Sequence, residues 1–303
     1  MITLQRAIEG FNLHLAAEGR SPHTVRDYNI TLARFVERLG PLTRLDTITP
    51  DQVRGFLKHW SEVDVKPAGA ADRPARKLAK KTILNMHIAL SALWTWAVAE
   101  GFAEAHVLQG RIQAPRVQRQ PIDALTDRQV KALASVVNGN ARAKAILFFM
   151  LSTGVRASEL CGLRIGDVDL KARTATVTGK GDKTRIVPFG DKTAAMLFRY
   201  IALRPETRLD EPVFLSTRGG PLTRTALLLL IRRAGERAEI RDLYPHRLRR
   251  TFAVDYIRNG GDGFTLQRIL GHSSMEMVRR YLDFAGADVQ AAHRRADPVD
   301  NLL

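Results

Sequence analysis

Arg173-Thr174-Ala175-Thr176-Val177-Thr178-Gly179-Lys180-Gly181-Asp182-Lys183-Thr184-Arg185-Ile186-Val187 is the stretch that separates this 303-residue chain from an all-helical protein. Residues 173–178 alternate with β-branched side chains, and 184–187 do so again, which predicts two strands. Gly179-Lys180-Gly181-Asp182 between them is a hairpin signal. A tip flanked by glycines is expected to be exposed with little to bury, so Lys180 either does nothing or reaches a ligand. The run does not make a nucleotide phosphate loop, because position 174, where that motif has its first glycine, is Thr.

Outward from the hairpin the pattern turns helical. Upstream, Thr126-Asp127 caps a helix through Val130, Leu133 and Val137, and 143–151 is an apolar helix expected to be buried. Downstream, 212–215 is read as a third strand, and helices follow at 223–238, 245–259, 265–270 and 274–284. Ser273 with Glu276 forms a capping-box pattern for the last of these. Residues 1–106 read as all helix. Leu4, Ile8, Phe11 and Leu15 share one face, Ser21-Pro22 and Thr49-Pro50 mark helix starts, and Leu84, Leu90, Leu93, Trp94 and Ala97 form a fourth stripe. Residues 66–81 read as a basic loop carrying Arg73, Arg76, Lys77, Lys80 and Lys81, either solvated or in contact with phosphates. Residues 107–121, with Arg111, Arg116 and Arg119, read as a basic linker that lets two domains close like a clamp. The expected fold is mainly α with a small antiparallel sheet (α+β) in the second domain and an all-α first domain.

Lys plus Arg number 47 against 31 for Asp plus Glu, a net charge of +16. A globular chain this basic points to a polyanion, nucleic acid first; the plain alternative is a basic soluble surface. The single cysteine, Cys161, excludes a disulfide framework and a Cys-based zinc site, and reads as a small buried hydrophobe. The first residues lack a continuous apolar region, and the apolar runs at 145–151 and 226–231 are far shorter than a membrane span. The expectation is therefore no membrane and a cytoplasmic, nucleoid-associated protein. No His-Glu-x-x-His pair or Gly-x-Ser-x-Gly elbow is present.

Six residues suggest chemistry: Arg156, Lys180, His246, Arg249, His272 and Tyr281. His246 and Arg249 stand three apart after Pro245, sharing a face at the electropositive start of a helix. Gly271-His272 sits at a turn, and Tyr281 lies on the helix that follows. Each alone has an ordinary structural reading. Together, cations around a phenol suit an anionic phosphorus centre.

Thr153-Gly154-Val155-Arg156-Ala157-Ser158-Glu159-Leu160, Gly179-Lys180-Gly181, His246-Arg247-Leu248-Arg249, Leu270-Gly271-His272-Ser273 and Tyr281 resemble, in type, order and spacing, the tyrosine recombinase (phage integrase) family, including its Xer-type members. Arg250 departs from the pattern, standing where relatives often have histidine. The run Gly260-Gly261-Asp262-Gly263 is richer in glycine than the simple turn of relatives. The resemblance implies a SAM-like core-binding domain at 1–106, the linker at 107–121 and a catalytic domain at 122–303. It implies that Tyr281 attacks DNA to give a 3′-phosphotyrosine. Arg156, Arg249 and His272 hold the phosphate, His246 acts as base and Lys180 as acid. Glu159 is expected to orient an active-site cation, or else to lie at the surface. Neither metal nor other cofactor is implied. The partners are a double-stranded DNA recombination site and a homotetramer, possibly including a paralogous recombinase, working through a Holliday junction. Residues 286–303 dock on a neighbouring subunit or on their own. Two rival readings are type IB topoisomerase-like relaxation and a non-catalytic DNA-binding regulator.

Overall fold

The structure is a computed structural model that describes residues 2–66, 74–118, 121–179, 181–204, 207–286 and 299. Arg73, Arg119, Lys180 and nearly all of the segment 286–303 lie outside the described residues. The chain divides into two compact units, Met1–Arg119 and Gln120–Leu303. Each has its own apolar core.

Among the described residues the first unit holds four α-helices, α1 (Leu4–Ala17), α2 (Pro22–Leu39), α3 (Pro50–Glu62) and α4 (Lys80–Ala99). Their starts follow from local chemistry. Ser21 accepts the Thr24 amide ahead of Pro22, and Thr49 with Gln52 forms a reciprocal capping box ahead of Pro50. Phe35 meets Phe56 and Trp94 edge-on at the centre of the bundle. By length and composition α4 is apolar enough to cross a membrane, but Ile83, Met86, Leu90, Leu93 and Trp94 are all buried in this core. Two sequence expectations change here. Part of 66–81 is ribbon and helix: β1 (Asp64–Val65) pairs antiparallel with β2 (Arg76–Lys77), and α4 begins at Lys80. Val107 and Leu108, read as linker, are buried in the first core, because the His106 imidazole accepts the amides of Leu108 and Gln109 and turns the chain inward.

In the second unit, α5 (Asp127–Val136), α6 (Ala141–Thr153) and α7 (Ala157–Gly162) precede a three-stranded antiparallel sheet of order β3 (Val168–Asp169), β4 (Thr174–Thr178), β5 (Thr184–Pro188). Thr176 pairs with Ile186 across the hairpin. Among the described residues five α-helices follow: α8 (Asp191–Ile201), α9 (Arg224–Arg237), α10 (Pro245–Arg258), α11 (Gly263–Leu270) and α12 (Glu276–Ala285). The apolar α6 is the central element, packed by α8 and α10. Residues 212–215 do not form the third strand. Only isolated bridges join Arg164 to Pro212 and Leu215 to Pro221, and Pro212 has no amide to donate. Val168–Asp169 takes that place beside β4. The helix α8 was not anticipated; its N-cap is Gly190, which has no side chain to signal the start. The capping box of Ser273 with Glu276 is not formed, since α12 opens at Glu276 with Met275 as its N-cap. Cys161 is half-buried, and burial pushes its thiol up to about 11.

Candidate active site

The α6 helix ends on Gly154 in the left-handed conformation (φ 61°), where a Cβ would collide with Phe252 of α10. This close turn brings Arg156, the N-cap of α7, up to α10. Glu159 reaches back to the Arg156 amide (2.7 Å), and its other oxygen accepts from Arg156 Nη1 (2.8 Å). Arg156 Nη2 donates to the Gly271 carbonyl (3.2 Å). So held, the Arg156 side chain is still 39% exposed. The Glu159 side chain is fully buried, which removes the surface reading. Its second partner is Arg185 of β5, whose Nη1 and Nη2 donate to the two carboxylate oxygens at 2.7 and 2.8 Å. Burial by itself would raise the Glu159 carboxyl. The hydrogen bonds from Arg185 and Arg156 outweigh it and draw the group down to about 2.

Pro245 opens α10, and His246 and Arg249 follow one turn apart. Arg249 is 1% exposed. Its Nη1 donates to the Gly154 carbonyl (2.7 Å), and its Nη2 donates to the Leu270 carbonyl (2.7 Å) and faces His272 Nε2 at 3.0 Å. None of these partners is a carboxylate. Burial first, and then the charge of Arg156, lower the Arg249 guanidinium to about 10, so it stays protonated at neutral pH. A buried cation whose partners are all neutral carries a desolvation cost that an incoming anion relieves.

His272 follows Gly271, the left-handed C-cap of α11. Because a guanidinium only donates, His272 Nε2 presents a lone pair to Arg249 and its proton sits on Nδ1, which is buried with no hydrogen-bond partner. Burial and then Arg249, Arg156, His246 and Arg185 hold this imidazole down at about 4. Its ring lies nearly parallel to that of Tyr281 on α12, 15° between planes and 6.3 Å between centroids. Tyr281 is itself buried. His246 stands at the open mouth of the site. Partial burial, followed by Arg250, Arg249 and Arg156, pushes it down to about 4 as well. Arg156, His246 and Arg249 line one depression of about 450 Å³ together with Arg224, Tyr244 and Pro245.

Five of the six expected residues thus gather in the second unit, while Lys180 lies outside the described residues. The neck of its hairpin is nearby: a Cβ on Gly179 would sit 3.4 Å from Glu159 Oε1. In the first unit Arg76, Lys77, Lys80, Lys81, Arg111 and Arg116 are exposed. Sequence reasoning passed over Arg185. The available signal was strand alternation, which puts Arg185 on the face of buried Val187 and leaves Ile186 outside. Among the described residues, no group of three or more His, Cys, Asp or Glu is disposed to hold a metal ion.

Residues 123–287 match the phage integrase family, and residues 8–101 match the phage integrase N-terminal SAM-like domain. The chain belongs to the phage integrase family of tyrosine recombinases. This recombinase is 31% identical over 299 residues to tyrosine recombinase XerC of Corynebacterium efficiens, covering 96% of this chain and 91% of that protein. It is 34% identical over 287 residues to XerC of Actinobacillus pleuropneumoniae serotype 7, at 91% and 89% coverage. Among solved structures, XerA recombinase aligns over 97% of this chain and 99% of that one, with a TM-score of 0.52 and 26% identity. The Tn1549 transposon integrase in complex with a circular intermediate DNA aligns at a TM-score of 0.76 and 19% identity, covering 96% and 99%; that likeness concerns the fold alone. The recombinase is an Xer-type enzyme of a family whose reaction is the cleavage and rejoining of DNA strands.

Proposed function

We propose that this recombinase acts at a specific DNA site through a 3′-phosphotyrosine intermediate, with Tyr281 as nucleophile. The observation that carries the reading is Arg249, a fully buried guanidinium without a carboxylate among its hydrogen-bond partners, which shares its depression with the half-exposed Arg156 and is hydrogen-bonded to His272, whose ring stacks with that of Tyr281. That arrangement fits a phosphodiester better than any neutral substrate.

In the proposed step the Tyr281 oxygen attacks phosphorus and its proton passes to His246, which is neutral at physiological pH and so able to accept it. Charge gathers on the nonbridging oxygens, where Arg156 and Arg249 donate, each donor contributing on the order of 3 kcal/mol, and His272 donates from Nε2 once the bound phosphate draws Arg249 away and the imidazole proton moves to that nitrogen. The bond from phosphorus to the 5′ oxygen breaks, and Lys180 protonates that oxygen. A 5′ hydroxyl of a partner strand then attacks the phosphotyrosine and returns the phenol. One phosphodiester is replaced by another, so the exchange needs no external energy source and no metal. Glu159 holds Arg156. The basic residues of the first unit (Arg76, Lys77, Lys80, Lys81, Arg111 and Arg116) neutralise phosphates, and the two units close on the duplex as a clamp. Strand exchange runs through a Holliday junction in a tetramer on a recombination site, alone or with a paralogous recombinase. The protein works where chromosomal DNA lies, in the cytoplasm.

The test is a nicked suicide substrate that traps the covalent protein–DNA adduct. Tyr281→Phe is expected to abolish the adduct while leaving DNA affinity nearly unchanged, and an undiminished adduct in that variant overturns the assignment. Chelation by EDTA is expected to leave adduct formation unaffected; its loss would indicate a metal nuclease instead.

A further inference from the structure

We propose that Arg185 is a positioning residue of the recombinase, which fixes Arg156 for the phosphate without itself touching DNA. The proposal rests on the reading of Arg156 as a phosphate ligand.

Arg156 has two anchors, the Glu159 carboxylate and the Gly271 carbonyl. Arg185 secures both. Its Nη1 and Nη2 form a parallel fork on Glu159, and its Nε donates to the Ile269 carbonyl at 2.6 Å, two residues before Gly271. Its aliphatic stem closes the same corner, since a Cβ on Gly271 would lie 3.1 Å from Arg185 Cδ. Glycine is needed at 271 both for its left-handed backbone and for this close approach. One guanidinium from β5 thereby fastens α7, which presents Arg156, to the corner that presents His272.

The two arginines bound to Glu159 differ in what they leave free. All three nitrogens of Arg185 donate inward, and its side chain is 14% exposed. Arg156 shares the same carboxylate yet is 39% exposed, and it lines the depression with His246 and Arg249. Arg156 therefore faces the substrate and Arg185 backs it. The fork geometry is specific to a guanidinium; a lysine ammonium is a single point that cannot meet both carboxylate oxygens and the Ile269 carbonyl at once.

A merely structural ion pair would lower stability and slow every substrate alike. A residue that acts through Arg156 matters in proportion to the charge on the nonbridging oxygens. The experiment uses the full chain and nicked suicide substrates carrying either a phosphodiester or a neutral methylphosphonate at the scissile position. With saturating DNA, Arg185→Lys is expected to slow adduct formation on the phosphodiester by on the order of 30-fold, somewhat less than loss of a direct donor. On the methylphosphonate the loss is expected to stay within about threefold, because the charge that Arg156 meets has been removed. Equal losses on the two substrates overturn the proposal. A double-mutant cycle gives a second, independent reading: Arg185→Lys in an Arg156→Ala background is expected to cost within about threefold more than Arg156→Ala alone. A fully multiplicative loss overturns it. If Arg185→Lys does not fold, Arg185→Gln combined with Glu159→Gln removes both buried charges and is read by the same substrate ratio. Covalent adduct formation by Tyr281→Phe would instead defeat the functional reading on which the proposal rests, so the two failures are distinguishable.

Discussion

The two units use the same side chains in opposite ways. In the first, Arg76, Lys77, Lys80, Lys81, Arg111 and Arg116 are exposed. In the second, Arg249 and Arg185 are withdrawn from water, and all three guanidinium nitrogens of Arg185 and both terminal nitrogens of Arg249 have defined acceptors. An exposed cation is screened by salt and replaceable by its neighbour, whereas a buried one with fixed geometry is neither. Charge alone therefore does not rank the importance of these residues; the ranking comes from how much of each cation's position is set by the fold.

The comparison breaks most easily at Arg249. Arg249→Lys keeps the charge but cannot span the Gly154 and Leu270 carbonyls together. Adduct formation at saturating DNA is expected to fall by roughly 10³-fold, with DNA affinity changed by less than about threefold. A variant that loses only affinity would put Arg249 in the same class as the surface lysines. Glu159→Gln comes next, because it leaves Arg185 buried without its counter-charge. The expected cost is about 3 kcal/mol in chemical denaturation. The pH dependence follows from the depressed carboxyl. Its folded value of about 2 lies below the ordinary 4.5, so its contribution to stability is complete above about pH 4.5 and is lost as pH falls toward 2. Glu159→Gln is expected to remove that part of the acid sensitivity.

Much of this arrangement was legible in the sequence where the cause is local. The hairpin showed in its alternation and its glycines, and Ser21-Pro22, Thr49-Pro50 and Thr126 each cap the helix expected of them. Where the cause is distant the sequence was silent. Arg185 is placed by a carboxylate 26 residues earlier and by a carbonyl 84 residues later, and neither leaves a trace in periodicity. Ser273 and Glu276 have capping-box spacing, but the chain leaves Gly271 with left-handed geometry and enters α12 only at Glu276, so the pattern is not used. Pro212 sits in a run that reads as a strand, but it has no amide for a ladder and makes only a bridge.

A smaller effect is expected from His272. Its imidazole stays neutral down to about pH 4, whereas an unfolded histidine takes up a proton near 6.5. Between these values the unfolded chain binds more protons, so this contribution to stability is complete above about 6.5 and is lost as pH falls toward 4. The thermal midpoint of His272→Gln should be correspondingly less sensitive to pH across this window. Nitrogen chemical shifts in the free protein at pH 7 should report the neutral form with its proton on Nδ1, because Arg249 occupies the side of Nε2. A protonated imidazole at that pH would mean that Arg249 points elsewhere.

The smallest effects are expected in the first unit. Lys80 and Lys81 are exposed in the first turn of α4, and neither is held by a carboxylate in the hydrogen bonds and ion pairs described. Each alanine substitution should reduce DNA affinity by only a few fold and lower the slope of log affinity against log salt by about 0.9 if one phosphate contact is lost. Adduct formation at saturating DNA should be nearly unchanged, because a mobile surface cation adds to encounter and not to the geometry at phosphorus. The salt series sharpens the contrast in both directions. Arg249→Lys should leave the slope where it is while slowing the chemistry, since the buried site is not exchanged with counter-ions. If Lys80→Ala instead slowed adduct formation at saturating DNA, that lysine would be acting at the bound phosphate, and burial would no longer separate the cations that hold DNA from those that cut it.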